Sequence, residues 1–248
     1  MSIEFSGTVA QRIDFGSGTN IYGTPQKTII IRTYLHSVAK QIAPAAIFWG
    51  GLIDEAPFTD ERWTVTMGDT NNGDIAFGEG FDGTDGAWRT NAILAINTLY
   101  TIIITYDNTN VANDPLIYLD NVSQAINEDV TPIGTAEVGT NGQLRIGASG
   151  PAITKPIDGI LHGFRVINRI ITANERATIT NSRDINAVFG GTVFAPNLDG
   201  AAGLSVFDDV ALAAANTLID PLSGAAGTPA GNPVARGNTI TNLGIGVQ

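Results

Sequence analysis

The 248-residue chain contains no cysteine, which excludes a disulfide framework, a thiolate nucleophile and a Cys-ligated metal. Charge is scarce as well. Asp, Glu, Lys and Arg make up 15% of the residues, and 24 Asp and Glu outnumber 13 Lys and Arg, for a net charge of −11. No stretch gathers cations into the basic stripe that a phosphate backbone requires, so nucleic acid is not an expected partner. No apolar run approaches the roughly 20 residues of a membrane-spanning helix, so no membrane partner is expected either. The opening Met1-Ser2-Ile3-Glu4-Phe5 lacks a basic segment followed by an apolar one. The expected product is made soluble in a cytoplasm, and acts outside a cell only after lysis or signal-independent export. The two histidines, His36 and His162, sit in no catalytic or metal-binding motif.

What the chain does have is 43% hydrophobic residues, enough for a sizeable core, and 29 glycines. Short β-rich runs recur between turn residues: 2–5, 28–34, 46–52, 63–67, 74–77, 100–106, 116–119, 144–146 and 159–167. This spacing without helical periodicity predicts an all-β, antiparallel sandwich. Thr101-Ile102-Ile103-Ile104-Thr105-Tyr106 is almost entirely β-branched or aromatic, as suits a central strand covered on both faces. Asp120-Asn121, between Leu119 and Val122, can adopt the positive φ angles of a two-residue hairpin. Thr172, three residues ahead of Glu175, forms a capping box and predicts one short helix from Ala173 to about Asn181.

After about residue 186 the chain becomes dense in Gly and Ala. The expected division is a sandwich over 1–185 and a low-complexity C-terminal arm over 186–248. Such a segment buries too little apolar surface to order alone, so it is expected to dock on neighbouring subunits or to end on its own sandwich.

Several motifs resemble the laminin G-like domains of the concanavalin A-like lectin and glucanase superfamily. Phe5-Ser6-Gly7 resembles the family's opening Phe-Asp-Gly, with serine in place of aspartate. Thr105-Tyr106-Asp107 and Tyr118-Leu119-Asp120-Asn121 resemble its paired strands, with Asn121 where glycine is usual. Leu144-Arg145-Ile146-Gly147, then Ile157-Asp158-Gly159 through Phe164-Arg165-Val166 to Thr172 and Glu175, is similar to its closing signature. The resemblance covers about residues 1–185. It implies a two-sheet jelly roll, and it designates no active site.

Glucanases of that superfamily place two or three carboxylates alternately along one strand, because acid and nucleophile must flank the glycosidic bond. No such run occurs here. Asp74, Glu79 and Asp82 are interrupted by Gly78 and Gly80 and read as turn residues, so no catalytic residue and no enzymatic activity are expected. Laminin G-like domains often bind calcium at the sandwich rim through hard oxygen ligands. Asp107 and Asp114, among Asn108, Asn110 and Asn113, are the candidate calcium ligands. A second crowded loop holds Asp69, Asn71, Asn72 and Asp74, and Asn and Asp are also ordinary turn formers. For sugar binding an exposed aromatic platform is wanted. Trp49 and Trp63 lie within apolar strands and read as core, whereas Trp88 and Arg89, which follow a loop, are the candidate glycan-binding residues, Trp88 being either a stacking residue or core.

The expected function is that of a non-catalytic structural protein of a tailed bacteriophage virion, a capsid decoration or tail accessory protein. Its partners would be copies of itself and other virion proteins, and its location the virion. The alternative is a glycan-binding lectin or adhesin module, exported without a signal peptide, whose partner is a cell-surface glycan.

Overall fold

A computed structural model of the chain describes residues 2–5, 12–15, 24–37, 42–43, 46–47, 50–55, 63–67, 73–137, 144–149, 155–182, 192–194, 218–219, 226–230 and 234–236. In chain order the strands begin β1 (Ser2–Phe5), β2 (Arg12–Phe15), β3 (Gln26–Leu35), β4 (Ile42–Ala43), β5 (Ala46–Ile47), β6 (Gly50–Glu55) and β7 (Trp63–Met67). They continue with β8 (Ile75–Glu79), β9 (Gly86–Thr90), β10 (Leu99–Asp107), β11 (Leu116–Leu119), β12 (Val122–Ser123) and β13 (Ile126–Val130). Then come β14 (Leu144–Ile146), β15 (Ala148–Ser149), β16 (Lys155–Pro156), β17 (Gly159–Ile167) and the helix α1 (Ala173–Ser182). The last are β18 (Thr192–Phe194), β19 (Leu218–Ile219), β20 (Ala226–Ala230) and β21 (Val234–Arg236).

Two antiparallel sheets carry the fold. One runs β12-β11-β10-β3-β17-β1-β21, with β18 also on β17, and the other runs β13-β9-β8-β7-β6-β14-β2-β20-β19. β10 lies between β3 and β11 and is buried from Tyr100 to Tyr106, as its β-branched run predicts. Alternation along β3 and β10 sends Ile29, Ile31, Ile102, Ile104 and Tyr106 to the core between the sheets. There they meet Val65, Phe77 and Trp88 of the opposing sheet. Ile30 and Ile103 point the other way, into a second cluster with Tyr118, Ile167, Ile171 and Ile179. Ile179 belongs to α1, so the helix covers the outer face of this sheet with its one buried residue. The predicted hairpin turn is present, with Asp120 at φ 48° and Asn121 at φ 67° joining β11 to β12.

The helix begins as its sequence dictates. The Glu175 carboxylate accepts the Thr172 backbone N–H at 2.7 Å, and the Thr172 hydroxyl accepts the Glu175 N–H at 3.3 Å. Both Glu175 oxygens also accept from the Arg169 guanidinium. This ion pair, with the Thr172 hydrogen bonds, holds the carboxyl at about 2 against an ordinary 4.5. A carboxyl depressed in this way stabilises the fold above its unfolded value, and that contribution is lost as pH falls from about 4.5 towards about 2. The pair is partly exposed and screened by water, so the loss is at most about 1 kcal/mol. Urea denaturation at pH 6 and pH 3 is expected to show a larger acid loss for the native chain than for Glu175→Gln. Equal losses would remove the pair from the stability of the helix.

The sequence pattern misses β2, β4, β9, β13, β15 and β16 and, in the C-terminal segment, β18 to β21. The run read as 46–52 is two strands, β5 and β6, in different sheets. The described parts of 186–248 pair with the chain's own sandwich, β18 on β17, β21 on β1 and β20 on β2. The rest of that segment, together with Trp49 and the loop of Asp69, Asn71 and Asn72, lies outside the described residues.

Candidate functional site

β7, β8 and β9 alternate between two faces. Their inward residues Val65, Phe77 and Trp88 enter the core, so the intervening residues face outward. Register sets the outward residues in two rows across the sheet: Thr64, Gly78, Ala87 and Val130, and Thr66, Ala76, Arg89 and Asn127. The pairing of β13 with β9 shifts between Glu128 and Val130, and this bulge leaves Asp129 unpaired in the ladder. The Asp129 carboxylate forms an ion pair with Arg89.

The result is an open trough of about 360 Å³ on this sheet. Its floor is small: Ala76, Gly78, Ala87 and the methyl-bearing Thr64 and Thr66. A Cβ at Gly78 would sit 2.8 Å from the Thr64 hydroxyl, so glycine keeps that hydroxyl within the trough. Val130, 41% exposed, and the Arg89–Asp129 pair form one rim. A groove of hydroxyls and bare backbone, with the Arg89 guanidinium and the Asp129 carboxylate at its rim, can exchange hydrogen bonds with a polyhydroxylated ligand.

Of the residues singled out in the sequence, Arg89 reaches this trough and Trp88 does not offer a platform. The Trp88 indole is fully buried, stacked on Phe77 at 6.1 Å and tilted against Tyr106 at 5.3 Å. Its ring lies over Gly86, where a Cβ would come within 2.2 Å of it. The stacking reading of Trp88 is therefore corrected, because strand alternation turns its side chain into the core. Trp63 is core, as read.

Asp107 ends β10 and Asp114 lies in the loop after it, and both accept hydrogen bonds within the chain. Asp107 accepts from the Thr109 N–H and hydroxyl and from Gln26, bonds that lower its carboxyl from the usual range, Thr109 foremost. Asp114 accepts the Trp88 indole N–H at 2.7 Å, and Asn110 accepts the Ala112 N–H. A calcium ion would have to use the remaining Asp114 oxygen and the loop carbonyls.

Glu79, read as a turn residue, is the last residue of β8 and 3% exposed. It faces inward, two residues after Phe77, and one of its oxygens accepts from Lys27 Nζ at 2.5 Å and from Asn108 Nδ2 at 2.7 Å. Lys27 and Asn108 are 1% and 9% exposed. Burial, and next the Glu79 charge, push the neighbouring Tyr106 phenol well above its ordinary value. Asp74 is buried as well, and Asp82 accepts the Thr135 N–H.

The chain superposes on solved structures at low sequence identity. A native heptameric SAP-like pentraxin from Limulus polyphemus superposes with a TM-score of 0.55 at 14% identity, over 74% of this chain and 83% of that one. The fold is a concanavalin A-like jelly roll. A second jelly roll, a proposed carbohydrate binding protein from Bacteroides ovatus ATCC 8483, gives 0.59 at 16% identity, over 94% of this chain and 61% of that one. At such identities the likeness shows the fold alone. No protein-family model matches the sequence, and no curated protein matches it. The laminin G-like expectation is met at the level of the jelly roll.

Sequence reasoning missed Thr64, Thr66 and Gly78, whose rows exist only once β7, β8 and β9 are paired, and Asp129, which the bulge in β13 sets outside the ladder. It also missed the meeting of Lys27, Glu79 and Asn108, whose separations of 52 and 29 residues leave no local signal.

Proposed function

We propose that this chain is a non-catalytic glycan-binding module, and that the trough on β7, β8, β9 and β13 is its binding face. The observation that carries the reading is the pairing of Arg89 with the bulged Asp129 beside a floor of Thr64, Thr66, Ala76, Gly78 and Ala87. Small floor residues let a flat sugar ring approach the backbone, and the ion pair supplies a donor and an acceptor for adjacent hydroxyls. The Bacteroides jelly roll described as carbohydrate binding supports this alternative over the virion role, which gains no support from the fold or from its neighbours.

The test is a saccharide array followed by calorimetry on the best ligand. Arg89→Ala is expected to weaken binding at least about tenfold, the loss of roughly 1.4 kcal/mol that one charged hydrogen bond can supply. Gly78→Val should abolish binding by filling the floor, with the far-UV spectrum unchanged. Failure of the native chain to bind any saccharide, or full affinity in both variants, would end the proposal.

A further inference from the structure

We infer that Lys27 and Asn108 join covalently, forming an amide between their side chains with Glu79 as the proton carrier. Three observations meet at one point. Lys27 Nζ and Asn108 Nδ2 both donate to the same Glu79 oxygen, at 2.5 and 2.7 Å, which places an amine beside a carboxamide. All three residues are at least nine-tenths buried, so water does not compete as nucleophile or dissipate the proton. The backbone holds them in register: Lys27 is opposite Tyr106 in the β3–β10 ladder, and the Asn108 N–H donates to the Pro25 carbonyl at 2.8 Å. Glu79 comes from the opposing sheet.

A carboxamide is a poor electrophile in water. Here the acid that must activate it and the amine that must attack it are preorganised, which is the contribution a rigid site makes to a slow acyl transfer. The Lys27 ammonium first passes a proton to Glu79 across their short contact, leaving a neutral amine. Nζ then adds to the Asn108 Cγ as the Glu79 acid protonates the amide oxygen. Glu79 next carries the surplus proton from Nζ to Nδ2. The carbonyl re-forms as its O–H proton returns to Glu79, the Cγ–Nδ2 bond breaks, and Nδ2 departs as ammonia, which takes that proton from Glu79 and leaves the core as ammonium. One ammonium side chain and one carboxamide thus become one secondary amide and one ammonium ion. No oxidant, reductant or cofactor enters the balance, and the reaction occurs once per chain.

The product ties the start of β3 to the end of β10, which closes a covalent loop around β3 to β10 in a chain that has no cysteine for the purpose. Intact-mass spectrometry of the purified, denatured full chain tests it. The expected mass is lower than that of the sequence by one ammonia, and proteolysis should release one branched fragment joining the Lys27 peptide to the Asn108 peptide. Lys27→Arg, Asn108→Ala and Glu79→Gln chains, checked for folding by circular dichroism, should each carry the full sequence mass. The measurement on the native chain stands even where a variant does not fold. A folded native chain of full mass, or a link from Lys27 to any residue other than Asn108, overturns the inference. A Glu79→Gln chain that loses ammonia as fast as the native one overturns the role given to Glu79.

Discussion

Trp88→Ala is expected to lower the unfolding free energy by about 3–5 kcal/mol, the range for emptying a large aromatic site in a packed core. The Trp88 side chain has no exposed surface, and its ring fills the space above Gly86 between Phe77 and Tyr106. Neighbours on a pleated sheet cannot slide inward to close such a cavity, so transfer and cavity terms add. The indole N–H also holds Asp114 at 2.7 Å, which ties the loop after β10 to the opposing sheet. Trp88→Phe keeps most of the apolar area and drops the donor, so its loss should fall between the alanine variant and the native chain. Urea denaturation followed by far-UV circular dichroism measures both. A loss under about 1 kcal/mol for Trp88→Ala would show that the ring does not anchor the core.

Lys27→Met comes next in size. Removing the ammonium leaves the Glu79 carboxylate buried without its counter-charge, and breaking one side of such a pair costs about 3–5 kcal/mol. Asn108 still donates to the carboxylate, but a neutral amide does not compensate the charge. Replacing both partners, as Lys27→Met with Glu79→Leu, removes the buried charge altogether, and electrostatics alone then predict recovery of most of the loss. The proposed amide changes that outcome, because neither variant can form it and the double variant stays well below the native chain. Four denaturation curves therefore separate the two contributions, native, single, single and double. Full recovery in the double variant, together with native-like stability of Asn108→Ala, would reduce the cluster to an ordinary ion pair.

Much of the fold was legible because its signals are local. The β-branched run of β10 needs only its own residues to read as a central strand, and the Thr172–Glu175 box lies within four positions. Asp120-Asn121 marks its turn because few residue pairs adopt positive φ at low cost. β9 and β13 were not legible for a physical reason. β9 has Gly86 and Ala87 in two of its five positions and Trp88 as its single large apolar residue, and β13 is an edge strand with Asn127, Glu128 and Asp129 exposed, so neither shows the apolar alternation of a half-buried strand. The trough rests on both.

Sheet periodicity made Trp88 ambiguous in the sequence, since alternation predicts that neighbours point oppositely without saying which of Trp88 and Arg89 faces in. The packing of Phe77 and Tyr106 decided it. The sequence by itself determined the class of fold, an antiparallel sandwich without cysteine, because composition, turn residues and β-branched runs act over a few positions at a time. Only the tertiary structure decided which side chains meet. Lys27, Glu79 and Asn108 converge, and Arg89 finds Asp129, through the registers of three strand pairs and one bulge, and register is a property of paired strands that no single segment encodes.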